Sequence, residues 1–442
     1  MMQNNLQADI STYLERLSIA ALNKIQEATI EKAASAKNLM LLAPTGSGKT
    51  LAFLIPLLQQ LRPEDTGVQA LIVAPSRELS LQIEQVFRTM KTAYKVSCCY
   101  GGHAMKVEQN SLSEAPAVII GTPGRLADHI FRKSFDARSI KIVVLDEFDK
   151  SLQMGFHDQL EVLFKAMSGK QHHMLTSATR LNDWPEFLPF KNPETLSYLH
   201  EEQDLKLTLN VVHCKSTDKV EALMRLVASF NQEACLVFCN HREAVDRIST
   251  LLTRHQFEHG TLHGALEQID REKNLIKFRG GAHNVLIATD LASRGLDIPE
   301  IKHIVHYQLP PKEEAFIHRN GRTARMHAEG KAYLLVADDE TLPDYIDSSI
   351  PEYHVAPKLK LPAPPLYVCL YISAGKKNKI SKGDIVGLLT KKGGLTSDDI
   401  GLITTLDFTS YVCVKRPTLT HLLKNIKDEK LKNIKVKIEV AS

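Results

Sequence analysis

The sequence predicts an α/β protein with two parallel-sheet domains in tandem and a small α+β module at its end. Three observations carry that expectation. Short apolar runs of strand length alternate with helical segments between residues 38 and 336, the pattern of parallel sheets covered on both faces. The stretch Ala43-Pro44-Thr45-Gly46-Ser47-Gly48-Lys49-Thr50 lies between one such run and the next helix. After five prolines among residues 348–365, the order changes to strand-helix-strand-strand-helix-strand within the last 77 residues.

A chain of 442 residues exceeds what one hydrophobic core usually covers, which agrees with more than one domain. No run of 18 apolar residues appears, and the polar start Met1–Asp9 lacks the basic and apolar parts of a signal peptide, so a cytoplasmic protein with no membrane span is expected. The seven cysteines are odd in number and mostly lie in apolar runs, as reduced core thiols do. Cys235 and Cys239 have no second ligand pair nearby, which argues against a zinc site. The net charge of +4 hides an asymmetry: residues 366–442 carry 13 Lys and 1 Arg against 7 acidic residues, or +7, leaving −3 for the rest. A basic module on a nearly neutral body points to a polyanion, most simply nucleic acid.

Taken in order, residues 1–36 are helical in pattern and include Gln26. Asn38–Leu42 reads as a buried strand and Leu51–Leu61 as a helix. The glycines between them let the backbone curl so that its N–H groups face an anion. Lys49 can reach β- and γ-phosphates, and the Thr50 hydroxyl can face a magnesium ion. The helix N-terminus adds its partial positive charge. Ala70–Ala74 is the next strand and runs into Pro75-Ser76-Arg77-Glu78-Leu79. Val96–Tyr100 runs into Gly101-Gly102, and Ala117–Ile120 into Gly121-Thr122-Pro123-Gly124-Arg125. Both place small residues at strand ends, where α/β sheets bind ligands. Ile140–Leu145 delivers Asp146-Glu147-Phe148-Asp149 to the same edge. There Asp146 can hold the metal ion and Glu147 can polarise an attacking water. Gln171–Thr176 ends in Ser177-Ala178-Thr179, whose hydroxyls are expected to bond Asp149.

A polar stretch around 201–207 is the expected link to a second domain with strands at 234–239, 260–263, 284–288, 301–307 and 331–336. This half has no phosphate loop. It carries instead Thr289, Arg294, Gly295 and Asp297, and three arginines, Arg319, Arg322 and Arg325, within seven residues. Arginines placed with glycine in this way can complete a phosphoryl-transfer site. In the tail, strands are expected at 366–372, 400–406, 411–414 and 435–440, with helices at 383–390 and 418–425. That order is the split βαβ arrangement of RRM modules.

The chain resembles the DEAD-box RNA helicases of superfamily 2 over positions 20 to 335. APTGSGKT (43–50), PSREL (75–79), GG (101–102), TPGR (122–125), DEFD (146–149), SAT (177–179), ATDLASRGLDI (288–298) and HRNGRTAR (318–325) occur in that family's order. The tail resembles the RNA-binding domain of DbpA-like bacterial helicases in Ala374–Ile380 and Gly383–Gly387, and Leu266–Arg271 is similar to that subgroup. The resemblance implies two RecA-like domains, residues 1–203 and 208–345, a proline-rich linker over 346–365 and an RRM-like RNA-binding domain over 366–442.

It also implies roles. Gln26 recognises adenine; Thr45, Gly46, Ser47, Gly48, Lys49 and Thr50 bind ATP, and Thr50 and Asp146 hold Mg2+. Lys49, Asp146, Glu147, Arg322 and Arg325 act in catalysis, with Gly295 and Asp297 at the nucleotide. Asp149, Ser177 and Thr179 couple hydrolysis to domain closure. RNA contacts fall on Arg77, Gly102, Thr122, Arg125, Thr289 and Arg294, and in the tail on Lys376, Lys377, Lys379 and Lys382. The implied function is ATP-dependent unwinding or remodelling of structured RNA, specifically ribosomal RNA in large-subunit assembly, by a monomer acting on pre-ribosomal particles. The alternative is an ATP-regulated RNA clamp or annealing factor with low turnover, because Phe148 stands where the family has a small alanine and must find room between two acids. Of the three aromatics usual on an RRM stacking surface, only Tyr367 and Tyr411 stand at suitable positions.

Overall fold

The computed structural model describes residues 2–102, 104–181, 183–199, 207–290, 301–323, 330–347, 349–356, 363–427 and 429–441. They form two compact units. The first contains α1 (Met2–Arg16), α2 (Lys24–Ala33), β1 (Asn38–Leu42), α3 (Lys49–Gln60), β2 (Ala70–Val73), α4 (Arg77–Thr89), β3 (Val96–Cys99), α5 (Met105–Leu112), β4 (Val118–Gly121), α6 (Pro123–Phe131), β5 (Ile142–Leu145), α7 (Phe148–Gln153), α8 (His157–Ala166), β6 (His172–Ser177) and β7 (Glu194–Ser197). The helical segment expected over 1–36 is two helices, because Ser18 turns left-handed at φ 57° and Asn23 caps α2.

The strands form one parallel sheet in the order β3-β4-β2-β5-β6-β1-β7. Alternate residues serve two cores. Leu39, Ile72 and Val144 pack towards α3 and α4, while Met40, Leu71 and Val143 pack towards α6 and α8. Each buried aliphatic side chain contributes roughly 1.5–3 kcal/mol, and using both faces explains why the strands read as unbroken apolar runs. Strand β7 was not foreseen. It is an edge strand with Glu194, Thr195 and Ser197 exposed, so it lacks that apolar mark.

The second unit begins with β8 (Leu207–Cys214), α9 (Lys219–Ala228), β9 (Cys235–Cys239), α10 (Arg242–Arg254), β10 (Gly260–Leu262), α11 (Gln268–Arg279), β11 (Val285–Thr289), β12 (His303–His306), α12 (Glu313–Asn320) and β13 (Gly330–Ala337). Its parallel sheet has the order β10-β11-β9-β12-β13-β8. Strand β8 was likewise unforeseen, although it pairs with β13 from Leu207↔Gly330 to Cys214↔Ala337. The proline-rich stretch expected to be a linker is packed down where it is described. Val211 N donates to Pro351 O at 3.0 Å and Tyr353 N to Val211 O at 2.7 Å, while the Tyr353 ring meets Tyr333 edge-on. Ile346 is also buried, in a cluster with Val211 and Leu334.

The same unit ends in β14 (Tyr367–Ile372), α13 (Lys382–Lys391), β15 (Ile400–Thr405), β16 (Ser410–Lys415), α14 (Leu419–Ile426), β17 (Lys430–Leu431), β18 (Ile434–Lys435) and β19 (Ile438–Val440). Its antiparallel sheet has the order β15-β16-β14-β19, with α13 and α14 packed on one face. The single strand expected over 435–440 is divided. Lys432 and Asn433 take positive φ (50° and 66°) and fold Lys430–Lys435 into a separate hairpin. No helix among the described residues is long and apolar enough to cross a membrane.

Candidate nucleotide and RNA site

In the first unit, β5, β6 and β1 are adjacent and parallel, so their carboxyl ends deliver three sequence segments to one edge. After β1 the chain turns through Gly46 (φ 86°) and Gly48 (φ 85°) into α3. At Gly48 a Cβ would stand 2.4 Å from Gln26 Nε2, so only glycine fits against that amide. Gln26 itself braces the loop. Its Nε2 donates to Gly48 O at 3.2 Å, its Oε1 accepts from Asn23 N at 2.9 Å, and Asn23 Nδ2 donates to Ser47 O at 3.0 Å. Asn23 was not singled out, although an Asn followed three residues later by Gln is a recognisable capping box.

Lys49 Nζ donates to Ala43 O and Pro44 O, each at 2.7 Å. Burial lowers its pKa to about 8 against the pull of Glu147 and Asp146. Ser47 Oγ is buried without a hydrogen-bond partner among the described residues. A curled glycine loop with an orphaned hydroxyl and a lysine at a helix start is a fitting cradle for phosphate oxygens.

After β5 the chain bends at once into α7. Glu147 makes the bend in the left-handed region at φ 48°, a conformation that costs a non-glycine residue about 1–3 kcal/mol. The elbow is held by neighbours: Glu147 N donates to Asp146 Oδ1 at 3.0 Å and to Thr176 Oγ1 at 3.1 Å, and Thr176 Oγ1 donates to Asp146 Oδ1. Burial, then the Glu147 carboxylate, pushes Asp146 up to about 6. Lys150, 0% exposed, sets its Nζ 2.8 Å from Glu147 Oε1. Thr176 and Lys150 escaped the sequence reading; Lys150 stands one residue after the acidic segment, whereas Thr176 is 30 residues from Asp146 and no local signal marked it. Hard oxygen donors at Thr50 and Asp146 suit a magnesium ion.

Phe148 does not crowd the acids. It is 0% exposed in the core towards α8, edge-on to Phe187 at 6.5 Å. Of the hydroxyls expected on Asp149, Thr179 delivers, with Oγ1 donating to Asp149 Oδ2 at 2.9 Å. Ser177 does not: its Oγ donates to Thr179 O and accepts from Thr179 N, because its side chain folds along its own turn. The expectation for Ser177 is corrected accordingly.

The carboxyl ends of β3, β4 and β2 form the other half of the edge and gather Arg77, Gly102, Thr122 and Arg125. Gly102 has φ 105°, and a Cβ there would stand 2.2 Å from Arg77 Nη1, so the arginine lies over the glycine turn. Arg125 Nε donates to Tyr100 O at 3.1 Å. Glu108, unremarked in the sequence, accepts from Tyr100 N at 2.8 Å, pairs with His129 Nε2 at 2.6 Å and lies 3.4 Å from Arg125.

In the second unit β11 brings Thr289 to the sheet edge. Arg319, 1% exposed, grips Asp290 with two bonds at 2.6 and 2.7 Å and also donates to Gln308 O and Asn240 Oδ1. It therefore braces its own domain and not a phosphate, unlike the role weighed from the sequence for the three arginines as a group. Arg322 is buried after α12. Arg294, Gly295, Asp297 and Arg325 lie outside the described residues. Lys376, Lys377, Lys379 and Lys382 are exposed on the turn before α13 and at its start.

Comparison with known proteins identifies the relatives of this chain. Residues 23–185 match the DEAD/DEAH box helicase family, 218–327 the helicase conserved C-terminal domain and 369–440 the DbpA RNA binding domain. The chain is 31% identical to the ATP-dependent RNA helicase DbpA of Escherichia coli (strain K12) over 95% of its length and 94% of that protein. It is 29% identical to the ATP-dependent RNA helicase DbpA of Bacillus subtilis (strain 168) over 98% of both. Among solved structures, S. cerevisiae Dbp5 bound to RNA and ADP BeF3 matches with a TM-score of 0.68 at 30% identity, covering 75% of this chain and 87% of that one.

Proposed function

This chain belongs to the DEAD-box ATP-dependent RNA helicases of DbpA type, which bind RNA and hydrolyse ATP in an RNA-stimulated manner, and from that premise we propose that it remodels structured ribosomal RNA during assembly of the large ribosomal subunit. The observation that supports this target is the terminal module, a basic RNA-binding fold with a net charge of +7 over 366–442 appended to a complete pair of helicase domains. The same reading has the protein act as a monomer on pre-ribosomal particles in the cytoplasm.

In the proposed reaction Gln26 recognises the adenine while continuing to brace the loop. Thr45, Gly46, Ser47 and Gly48 turn their N–H groups to the phosphates, and Lys49 exchanges its carbonyl partners for phosphate oxygens. Thr50 and Asp146 would hold the magnesium ion, which neutralises charge on the phosphates. Glu147, released from Lys150, orients the attacking water. Arg322 and Arg325, with Gly295 and Asp297, are assigned to completing the site from the second domain. Asp149 and Thr179 relay the outcome to RNA held by Arg77, Gly102, Thr122, Arg125, Thr289 and Arg294. The low-turnover clamp loses its motive, since Phe148 is sunk in the core and crowds neither acid.

The test is ATP hydrolysis with purified ribosomal RNA against equal mass of unrelated RNA, for the full chain and for one ending at Pro365. Stronger stimulation by ribosomal RNA that disappears on truncation supports the target. Equal stimulation by both RNAs in the full chain would refute it.

A further inference from the structure

The terminal module carries four Phe and Tyr residues, Tyr367, Tyr371, Phe408 and Tyr411. RRM modules stack unpaired bases on aromatic rings of their sheet face. Here Tyr411 is buried in a cluster with Cys369, Cys413, Ile276 and Ala282, and Tyr367 and Tyr371 pack against the same cluster. Those three rings are occupied by protein. Phe408 is the exception, 68% exposed in the turn between β15 and β16.

A lone exposed ring is ordinary on a protein surface. What gives this one a reading is its place. Its turn is closed by Leu406 N, which donates to Thr409 O at 2.8 Å, and is tied by backbone to the lysine turn before α13: Lys376 N donates to Leu406 O and Lys377 N to Asp407 O, each at 2.8 Å. Gly375 permits that approach, since a Cβ there would stand 2.3 Å from Leu406 O. The lysine turn has its own brace, with Asn378 Oδ1 accepting from Gly375 N at 3.1 Å and Lys379 left-handed at φ 58°. Lys432 escaped the sequence reading but joins this surface, its Nζ donating to Lys379 O at 3.0 Å. Five lysines, 376, 377, 379, 382 and 432, stand here with two acids, Asp384 and Asp407, for a net +3. Asp384 is already engaged by Ser381.

A flat apolar ring and several ammonium groups are thus fixed to one stretch of braced backbone. A nucleotide could set its base on the ring and its phosphates on the lysines without first ordering a loop, which removes part of the usual entropic cost of binding. Stacking of this kind tolerates any base, because every base has a π-face. A continuous duplex keeps its base faces in its own stack and can offer this surface phosphates only. We propose that Phe408 stacks an unpaired base of bound RNA while the neighbouring lysines hold the adjoining phosphates, so that the module favours looped or single-stranded RNA over fully paired RNA. The inference rests on the lysine turn contacting RNA, and not on which RNA is the target.

The experiment is equilibrium binding of the full chain to purified ribosomal RNA and to a blunt, fully paired RNA duplex, each over a range of salt concentrations. Phe408→Ala weakens binding to ribosomal RNA by roughly fivefold or more and binding to the duplex by less than about twofold. It leaves the salt dependence unaltered, because no phosphate contact is lost. Phe408→Tyr keeps the affinity, whereas Phe408→Leu, apolar but not flat, loses it. Lys377→Ala weakens binding to both probes and lowers the salt slope by about one. Both positions are exposed, so these substitutions leave the module's core intact. If Lys377→Ala acts as stated and Phe408→Ala changes nothing, the stacking proposal falls while the lysine reading stands; if neither substitution matters, both fall. Equal loss on the two probes for Phe408→Ala, or full affinity with Phe408→Leu, would also overturn the proposal.

Discussion

Thr179 Oγ1 donates to Asp149 Oδ2 at 2.9 Å, joining the end of β6 to the first turn of α7. The bond links the segment that follows the acidic pair to the strand beside it, and the other carboxylate oxygen, Asp149 Oδ1, accepts no bond from described residues. Thr179→Val removes the donor at nearly constant volume and leaves a buried carboxylate short of a partner, at a cost of roughly 1–3 kcal/mol. RNA-stimulated ATP hydrolysis should stay within a few-fold of the parent while strand separation per ATP falls at least tenfold. Parallel loss of both activities would mean that Thr179 serves hydrolysis itself.

The pH dependence has two limbs. Burial raises Asp146 to about 6 and lowers Lys49 to about 8. A cation needs the carboxylate and a phosphate needs the ammonium, so kcat/KM for ATP, which reports the free enzyme, should rise through pH 6 and fall through pH 8. The Thr176 hydrogen bond lowers the Asp146 value, so Thr176→Val should move the acid limb to higher pH. An unmoved acid limb would assign it to another group.

The same shift bears on stability. The folded value of Asp146 lies above its ordinary 3.8, so the fold favours the protonated acid. That contribution is complete below pH 3.8 and is lost as pH rises through about 6. Asp146→Asn should therefore raise Tm at pH 8, by up to about 3 kcal/mol of stability, and change it little at pH 4. A lower Tm at pH 8 would show that the charged acid is well compensated.

Phe148 is a packing residue. Phe148→Ala should cost about 3–5 kcal/mol in urea unfolding of the first unit, through lost burial and the cavity beside Phe187. A cost below about 1 kcal/mol would place the ring elsewhere.

Gly102→Ala should leave RNA-free hydrolysis unchanged and reduce RNA stimulation several-fold. The added methyl must adopt φ 105° and displace Arg77 from over the turn. Unaltered stimulation, read as the RNA concentration giving half-maximal rate, would remove that turn from the RNA surface.

The order of strands and helices, the phosphate loop and the acidic segment were legible in the sequence because each is written in local spacing: a strand-length apolar run, a glycine pair, two acids after a strand. The edge strands β7 and β8 were not, since exposed positions dilute the apolar mark. What only the tertiary structure decided were relations between distant residues. Thr176 meets Asp146 and Asn240 meets Arg319 because parallel strands end at one edge, and no local pattern records which ends are neighbours. Phe148 goes inward because its helix turns that side to the core. The tail makes the same point: its strand order was readable, but which sheet face stays open depends on whether another surface of the chain covers it, and α11 does. Local periodicity specifies elements, and packing specifies which of their faces remain available for chemistry.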